Sequence, residues 1–183
     1  PGLADLWTKD GQRYGLPKDW DTVAVIYNKA MLEAAGIDPA VMKDWTWNLE
    51  DGGSFQQTVA ALTLDANGNN GLSPDFDKNN VVQYGFIPDG MGGAYGQTQW
   101  SAFAASTGWK YNDGPWSTQY YYNDDRFINT VQWWADLNLV NGFSPSFEEI
   151  SSLGATALFQ SGKGAMTING SWMIGTFLSS EFE

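Results

Sequence analysis

The sequence predicts a layered α/β domain, and three observations carry that prediction. A β-branched apolar run at 23–27, VAVIY, reads as a strand. Residues 97–107 and 124–139 place apolar side chains at helical spacing. A second short run at 165–168, AMTI, lies between Gly164 and Gly170. Short strands alternating with helices pack as a sheet flanked by helices. A chain of 183 residues is long enough for one such domain with a substantial core.

The elements follow in order. Residues 1–22 are turn-rich, punctuated by Asp10-Gly11, Gly15, Pro17 and Asp19. After the strand at 23–27, Asn28 suits the N-cap of a helix over 29–35. Gly36 ends that helix and Pro39 prevents its return. Residues 41–53 form a loop carrying Trp45 and Trp47. Ser54 and Gln57 then match a capping box, and Phe55, Val59 and Leu62 give the next helix its buried face. Residues 65–82 read as a polar, asparagine-rich loop, and 84–87 as a second strand. Trp100, Phe103, Ala104 and Thr107 share one helix face, which Gly108 ends. Residues 120–122 read as a short strand. Asp124 and Asp125 suit the positive end of the following helix. Its core side is Phe127, Ile128, Val131, Trp134 and Ala135, widened by Trp133 and Leu137. A further helix covers 148–160, divided at Gly154.

Composition narrows the chemistry. Net charge is −12, from 9 basic and 21 acidic residues, and the basic side chains are scattered singly. Without a basic patch, nucleic acid is not an expected partner. There is no cysteine and no histidine, which removes disulfides, His-ligated zinc and any Ser-His or Cys-His catalytic unit from this chain. The 10 Trp, 8 Tyr and 10 Phe stand largely in polar, glycine-rich stretches. A single such ring is well explained as filling a gap between loop and core. The set suits a ligand with apolar C–H faces and many hydroxyls, which describes a sugar.

One loop invites a metal. Asp65, Asn67 and Asn69, closed by Asp75 and Asp77, place oxygen donors as at the opening of a calcium loop. Asn70 and Phe76 occupy the positions where an EF-hand needs glycine and glutamate. That leaves a looser structural calcium site or a surface loop rich in Asx turns.

Residues 158–172, LFQSGKGAMTINGSW, are the most informative segment. They read as a helix end, a glycine turn, a short buried strand and a second turn presenting Trp172. A tryptophan there either closes a helix–sheet layer or faces a ligand at a strand end. This segment resembles the phrase LFxxGKxAMxINGxW of the extracytoplasmic solute-binding proteins of ABC importers, the large family that includes the maltodextrin-binding protein. Residues 14–39, running YGLPKDWDTVAVIYNKAMLEAA into GIDP, resemble that family's YGLPxxxDxxxxxYNKxxxxxAGID stretch. The two occur in the family's order.

The resemblance implies one lobe of a two-lobed, type II periplasmic-binding-protein-like fold. Family members are much longer, so the chain is expected to be a fragment. Residues 1–22 would be the interlobe crossing and 23–183 a partial second, C-terminal lobe, partnered by the missing first lobe. The implied role is the substrate-binding component of an ABC transporter, not an enzyme. It would capture a sugar or oligosaccharide between the lobes and deliver it to permease subunits. Its location would be extracytoplasmic, periplasmic or as a membrane-anchored lipoprotein. No cofactor is implied beyond the calcium considered above.

Residue by residue, the resemblance places Trp172 on the family's sugar-stacking tryptophan and Asp21 on an acidic residue that accepts sugar hydroxyls at the crossing. The loop entering the helix near residue 100 faces the cleft, making Tyr95 and Gln97 ligand candidates. The family's Glu-Pro-Tyr triplet is replaced there by Tyr95-Gly96-Gln97. Trp100 fits the buried face, and Trp20 and Trp109 are weaker candidates. Two alternatives share these features: the same fold carrying a non-sugar ligand, and a glycoside hydrolase fragment. The second needs a carboxylate pair in a cleft, and nothing in the sequence marks one.

Overall fold

The computed structural model describes residues 2–90 and 93–179. The chain enters through a 3₁₀ turn, Asp5–Trp7, and a hairpin of β1 (Thr8–Lys9) and β2 (Gln12–Arg13). Asp10 (φ 50°) and Gly11 (φ 76°) make the hairpin turn. Two successive positive φ values match the twist of a two-residue hairpin, and Asp-Gly supplies them with little strain. The half-exposed Trp116 receives this hairpin: its indole N–H donates to the Thr8 carbonyl at 3.2 Å, and its ring meets Tyr14 at 5.6 Å.

Next come β3 (Val23–Tyr27) and α1 (Lys29–Ala34). The Asn28 side chain accepts from the Met31 N–H at 3.2 Å, the expected N-cap, and Gly36 leaves the helix at φ 71°. A 3₁₀ turn, Pro39–Asp44, leads to α2 (Gly53–Leu62). The expected capping box at Ser54 does not form. Its hydroxyl accepts instead from the Thr46 N–H at 2.9 Å, while Asp51 accepts from the Gly53 N–H at 2.9 Å. Phe55, Val59 and Leu62 are buried as predicted, each contributing about 1.5–3 kcal/mol on transfer from water.

The short β4 (Leu64–Asp65) precedes β5 (Val81–Ile87), which starts three residues before the expected strand. Then follow α3 (Ser101–Ser106) and α4 (Asp125–Leu139), the latter capped by Asp124 on the Arg126 N–H. Within α4, Leu137 is fully buried and Trp133 and Trp134 pack on the core as expected, with Thr130 buried beside them; Ile128, expected on that face, is exposed. The expected strand at 120–122 is only an isolated bridge between Asn112 and Tyr120. Gly154 (φ 84°) divides α5 (Phe147–Leu153) from α6 (Ala155–Gln160), as predicted. The chain then forms β6 (Gly164–Gly170), a 3₁₀ turn, Ser171–Met173, and α7 (Ile174–Leu178).

The sheet runs in the order β3-β6-β5-β4. β6 is antiparallel to β3 and parallel to β5, with α3 to α6 forming the crossover. Every residue of β6 is buried, as a central strand covered on both faces requires. The close approach of α2 to β5 depends on Gly85. A Cβ there would lie 1.9 Å from the Val59 carbonyl oxygen. The Thr63 hydroxyl sits in that contact, donating to Val59 O at 2.9 Å and accepting from Gly85 N–H at 3.0 Å. The α/β class and the layered sheet with flanking helices are therefore as predicted.

Candidate functional site

Register places the site. Val23 pairs with Gly170, so the residues entering β3 and those leaving β6 meet at one end of the sheet. β5 runs parallel to β6, with Ile87 opposite Thr167, so its following loop leaves at that same end. Ligand sites in open α/β sheets lie at the carboxyl ends of the parallel strands.

Three hydrogen bonds join the two chain segments there. The Ser171 hydroxyl donates to Asp21 Oδ1 at 2.6 Å and accepts from the Thr22 N–H at 3.3 Å. The Ser171 N–H donates to the Thr22 carbonyl at 2.9 Å. The segments that carry Asp21 and Trp172 thus meet at one end of the sheet. Trp172 keeps 47% of its surface exposed. Its ring lies across Gly170, where a Cβ would come within 2.1 Å of it. The indole therefore lies against the end of the central strand without entering the core.

Tyr95 and Gln97 are both exposed on the loop after β5. Met91 and Gly92, in the glycine-rich stretch that leads to them, lie outside the described residues. Tyr95 ends a 3₁₀ turn, Gly93–Tyr95, and stands edge-on to Tyr111 at 5.8 Å. The Tyr111 hydroxyl donates to the Tyr95 carbonyl. Behind this loop, Asp89 accepts from the buried Thr98 hydroxyl. No hydrogen bond or ring pair joins Tyr95 or Gln97 to Trp172 among the described residues, so the four candidates form two groups.

The weaker aromatic candidates separate. Trp109 is core: it is buried, stacks on Phe127 at 5.0 Å and donates to the Tyr121 carbonyl at 2.8 Å. Trp100 packs edge-on to the same Phe127 at 4.9 Å. Trp20 is exposed. Ser171 is the residue that sequence reasoning missed, having been read only as part of the turn that presents Trp172. The signal that could have found it was the pairing of 23–27 with 164–170.

The four candidates, Asp21, Tyr95, Gln97 and Trp172, are all exposed. A groove of about 550 Å³ lies elsewhere, between α1 and the α2–β4 edge, against Met31, Ala34, Ala61, Leu64 and Gln83. It includes none of the four candidates.

The loop expected to suit calcium is built for another purpose. Asp65 is 1% exposed, and its carboxylate accepts four N–H groups. The Asn67 and Asn69 backbones donate to Oδ1 at 2.8 and 2.9 Å; the Asp77 backbone and the Asn69 amide donate to Oδ2 at 2.9 and 3.1 Å. These donors, the Asp77 N–H foremost, hold the Asp65 carboxyl below its ordinary value despite burial. Asp77 in turn accepts from Asn80 and Asn79, and Asp75 offers its carbonyl to Asn69. With N–H groups aimed at both oxygens, Asp65 does not present a carboxylate to a cation. Among the described residues, no group of three or more acidic side chains is placed to hold a metal. Asp65, Asn67, Asn69, Asp75 and Asp77 therefore do not fit the calcium expectation; they close an Asx-type loop.

Comparison with known proteins agrees with this architecture. The chain is similar in structure to UspC of M. tuberculosis, with a TM-score of 0.82 and 23% identity, covering 100% of this chain and 45% of that one. An ABC substrate-binding protein from Listeria monocytogenes, solved in complex with cycloalternan, matches with a TM-score of 0.72 and 21% identity over 99% of this chain and 40% of that chain. A solute-binding protein from Thermotoga lettingae, bound with alpha-D-tagatose, gives 0.67 and 20% over 99% and 41%. The chain thus spans less than half the length of these structures. Comparison with curated proteins gives no match. The family model described as bacterial extracellular solute-binding protein matches residues 1–181. The chain belongs to the bacterial extracellular solute-binding protein family, a family of binding proteins and not of enzymes.

Proposed function

We propose that this chain forms one lobe of the substrate-binding component of an ABC transporter and that its ligand is a sugar or oligosaccharide. One observation carries the reading: the half-exposed Trp172 indole stands at the end of the buried central strand, with the Asp21 carboxylate held beside it through Ser171. A flat ring covers the C–H face of a pyranose, and a carboxylate accepts hydroxyl hydrogen bonds. A site that bonds hydroxyls rejects analogues lacking them, because its own polar groups would be left unpaired. Tyr95 and Gln97 offer the same pair of chemistries on the loop after β5. The fold likeness to proteins solved with cycloalternan and with alpha-D-tagatose supports the sugar class.

In this reading residues 1–22 cross between lobes, and residues 23–183 belong to the lobe that carries Trp172. A first lobe supplies the opposite wall, and the ligand drives closure through its higher affinity for the closed state. The loaded form docks on permease subunits outside the cytoplasm. The test is a thermal-shift and calorimetric screen of the complete two-lobed protein against sugars, amino acids, peptides and polyamines. Stabilisation by a sugar, lost in Trp172→Ala, is the expected outcome. Stabilisation by a non-sugar class alone would replace the sugar with that ligand.

A further inference from the structure

We propose that Ser171 is a positioning residue of the binding site, acting through Asp21. The inference rests on the reading of Asp21 and Trp172 as ligand contacts. A serine hydroxyl has one proton to give. Here that proton goes to Asp21 Oδ1 at 2.6 Å, a charge-assisted bond of the short, strong kind. Asp21 is exposed and precedes the first strand, so nothing in the sheet ladder fixes its side chain. The hydroxyl does so from across the sheet end. It leaves Asp21 Oδ2 without a hydrogen bond from the described residues and open to a ligand hydroxyl.

The same residue anchors both segments. Its N–H holds the Thr22 carbonyl at 2.9 Å and its oxygen accepts from the Thr22 N–H at 3.3 Å. Trp172 follows it directly in the 3₁₀ turn. The polar contact and the stacking ring are therefore set by one turn and move as a unit when the lobes close. Such pre-organisation lowers the ordering cost of binding.

The test uses the complete protein, titrated calorimetrically with maltotetraose, cycloalternan and alpha-D-tagatose. Ser171→Ala is expected to weaken the sugar that binds by about tenfold, the loss of one charge-assisted bond. Ser171→Thr, which keeps the hydroxyl, is expected within about threefold of the parent. In an Asp21→Ala background Ser171→Ala is expected to cost nothing further, because its effect passes through that carboxylate. The melting temperature is expected to hold within about 2 °C, as for an exposed bond. Parent-like binding by Ser171→Ala overturns the proposal, as does an equal loss with and without Asp21. A ligand-free readout separates this from failure of the sugar reading. The Trp172 indole N–H resonance is expected to shift alike in Ser171→Ala and Asp21→Asn. If it does while no sugar binds, the positioning stands and the sugar reading falls; if it responds to neither, the positioning falls.

Discussion

Gly170→Ala separates the platform role of Trp172 from a structural one. Gly170 has φ −91° and ψ 162°, which alanine adopts without strain, so the backbone is unaffected. The new Cβ would begin 2.1 Å from the Trp172 ring. Ordinary carbon contacts lie near about 3.5 Å, so the indole must move by more than about 1 Å. It can, since the ring is half exposed. The ring hides roughly 100 Å², so its complete release costs about 2.5 kcal/mol. Replacing glycine gives back about 0.4–1 kcal/mol through the unfolded chain. The net loss is about 2 kcal/mol, or a fall in Tm of about 4–8 °C. Binding suffers differently, because a displaced ring no longer covers the sugar face, and sugar affinity is expected to fall about tenfold. Scanning calorimetry and titration calorimetry on one preparation give both numbers. Unchanged affinity with an intact fold would refute the platform role. A far larger fall in Tm would show the ring to be core.

The remaining predictions concern the scaffold. Gly85→Ala forces a Cβ against the Val59 carbonyl oxygen and the Thr63 hydroxyl, so α2 must lift from β5. Overpacking of this kind costs about 1–3 kcal/mol, read as a lower Tm with binding geometry retained. Asp65→Asn is expected to lower Tm at neutral pH, because an amide cannot accept on both sides. The Asp65 carboxyl is depressed from its ordinary 3.8, so its contribution is complete above that pH and is lost as pH falls through the lower folded value. The gap between parent and variant should therefore close below pH 3.8, and a constant gap would contradict the four N–H bonds. Added calcium is expected to leave Tm unchanged, since those donors already occupy the carboxylate.

Local hydrogen-bond chemistry was legible in the sequence. The cap at Asn28 and the break at Gly154 involve a partner within three residues or one backbone conformation. What failed was long-range. Ser54 looked like a cap, but Thr46, eight residues back, claims its hydroxyl. β4 exists through its pairing with β5, Leu64 with Gln83 and Asp65 with Val81. Oxygen spacing in 65–77 suggested a cation, but backbone N–H groups supply the positive partner. Among the candidate site residues, Trp172 and Asp21 are named by motifs. Ser171 is not, because its partner lies 150 residues away and only the β3–β6 register brings them together.

The most direct measurement is calorimetric titration of the complete two-lobed protein with a sugar, alongside Trp172→Ala. Saturable binding by the parent and a loss of at least about tenfold in the variant are predicted, as for removal of a stacked aromatic anchor. Equal affinities in the two proteins would contradict the claim that this end of the sheet is the ligand site.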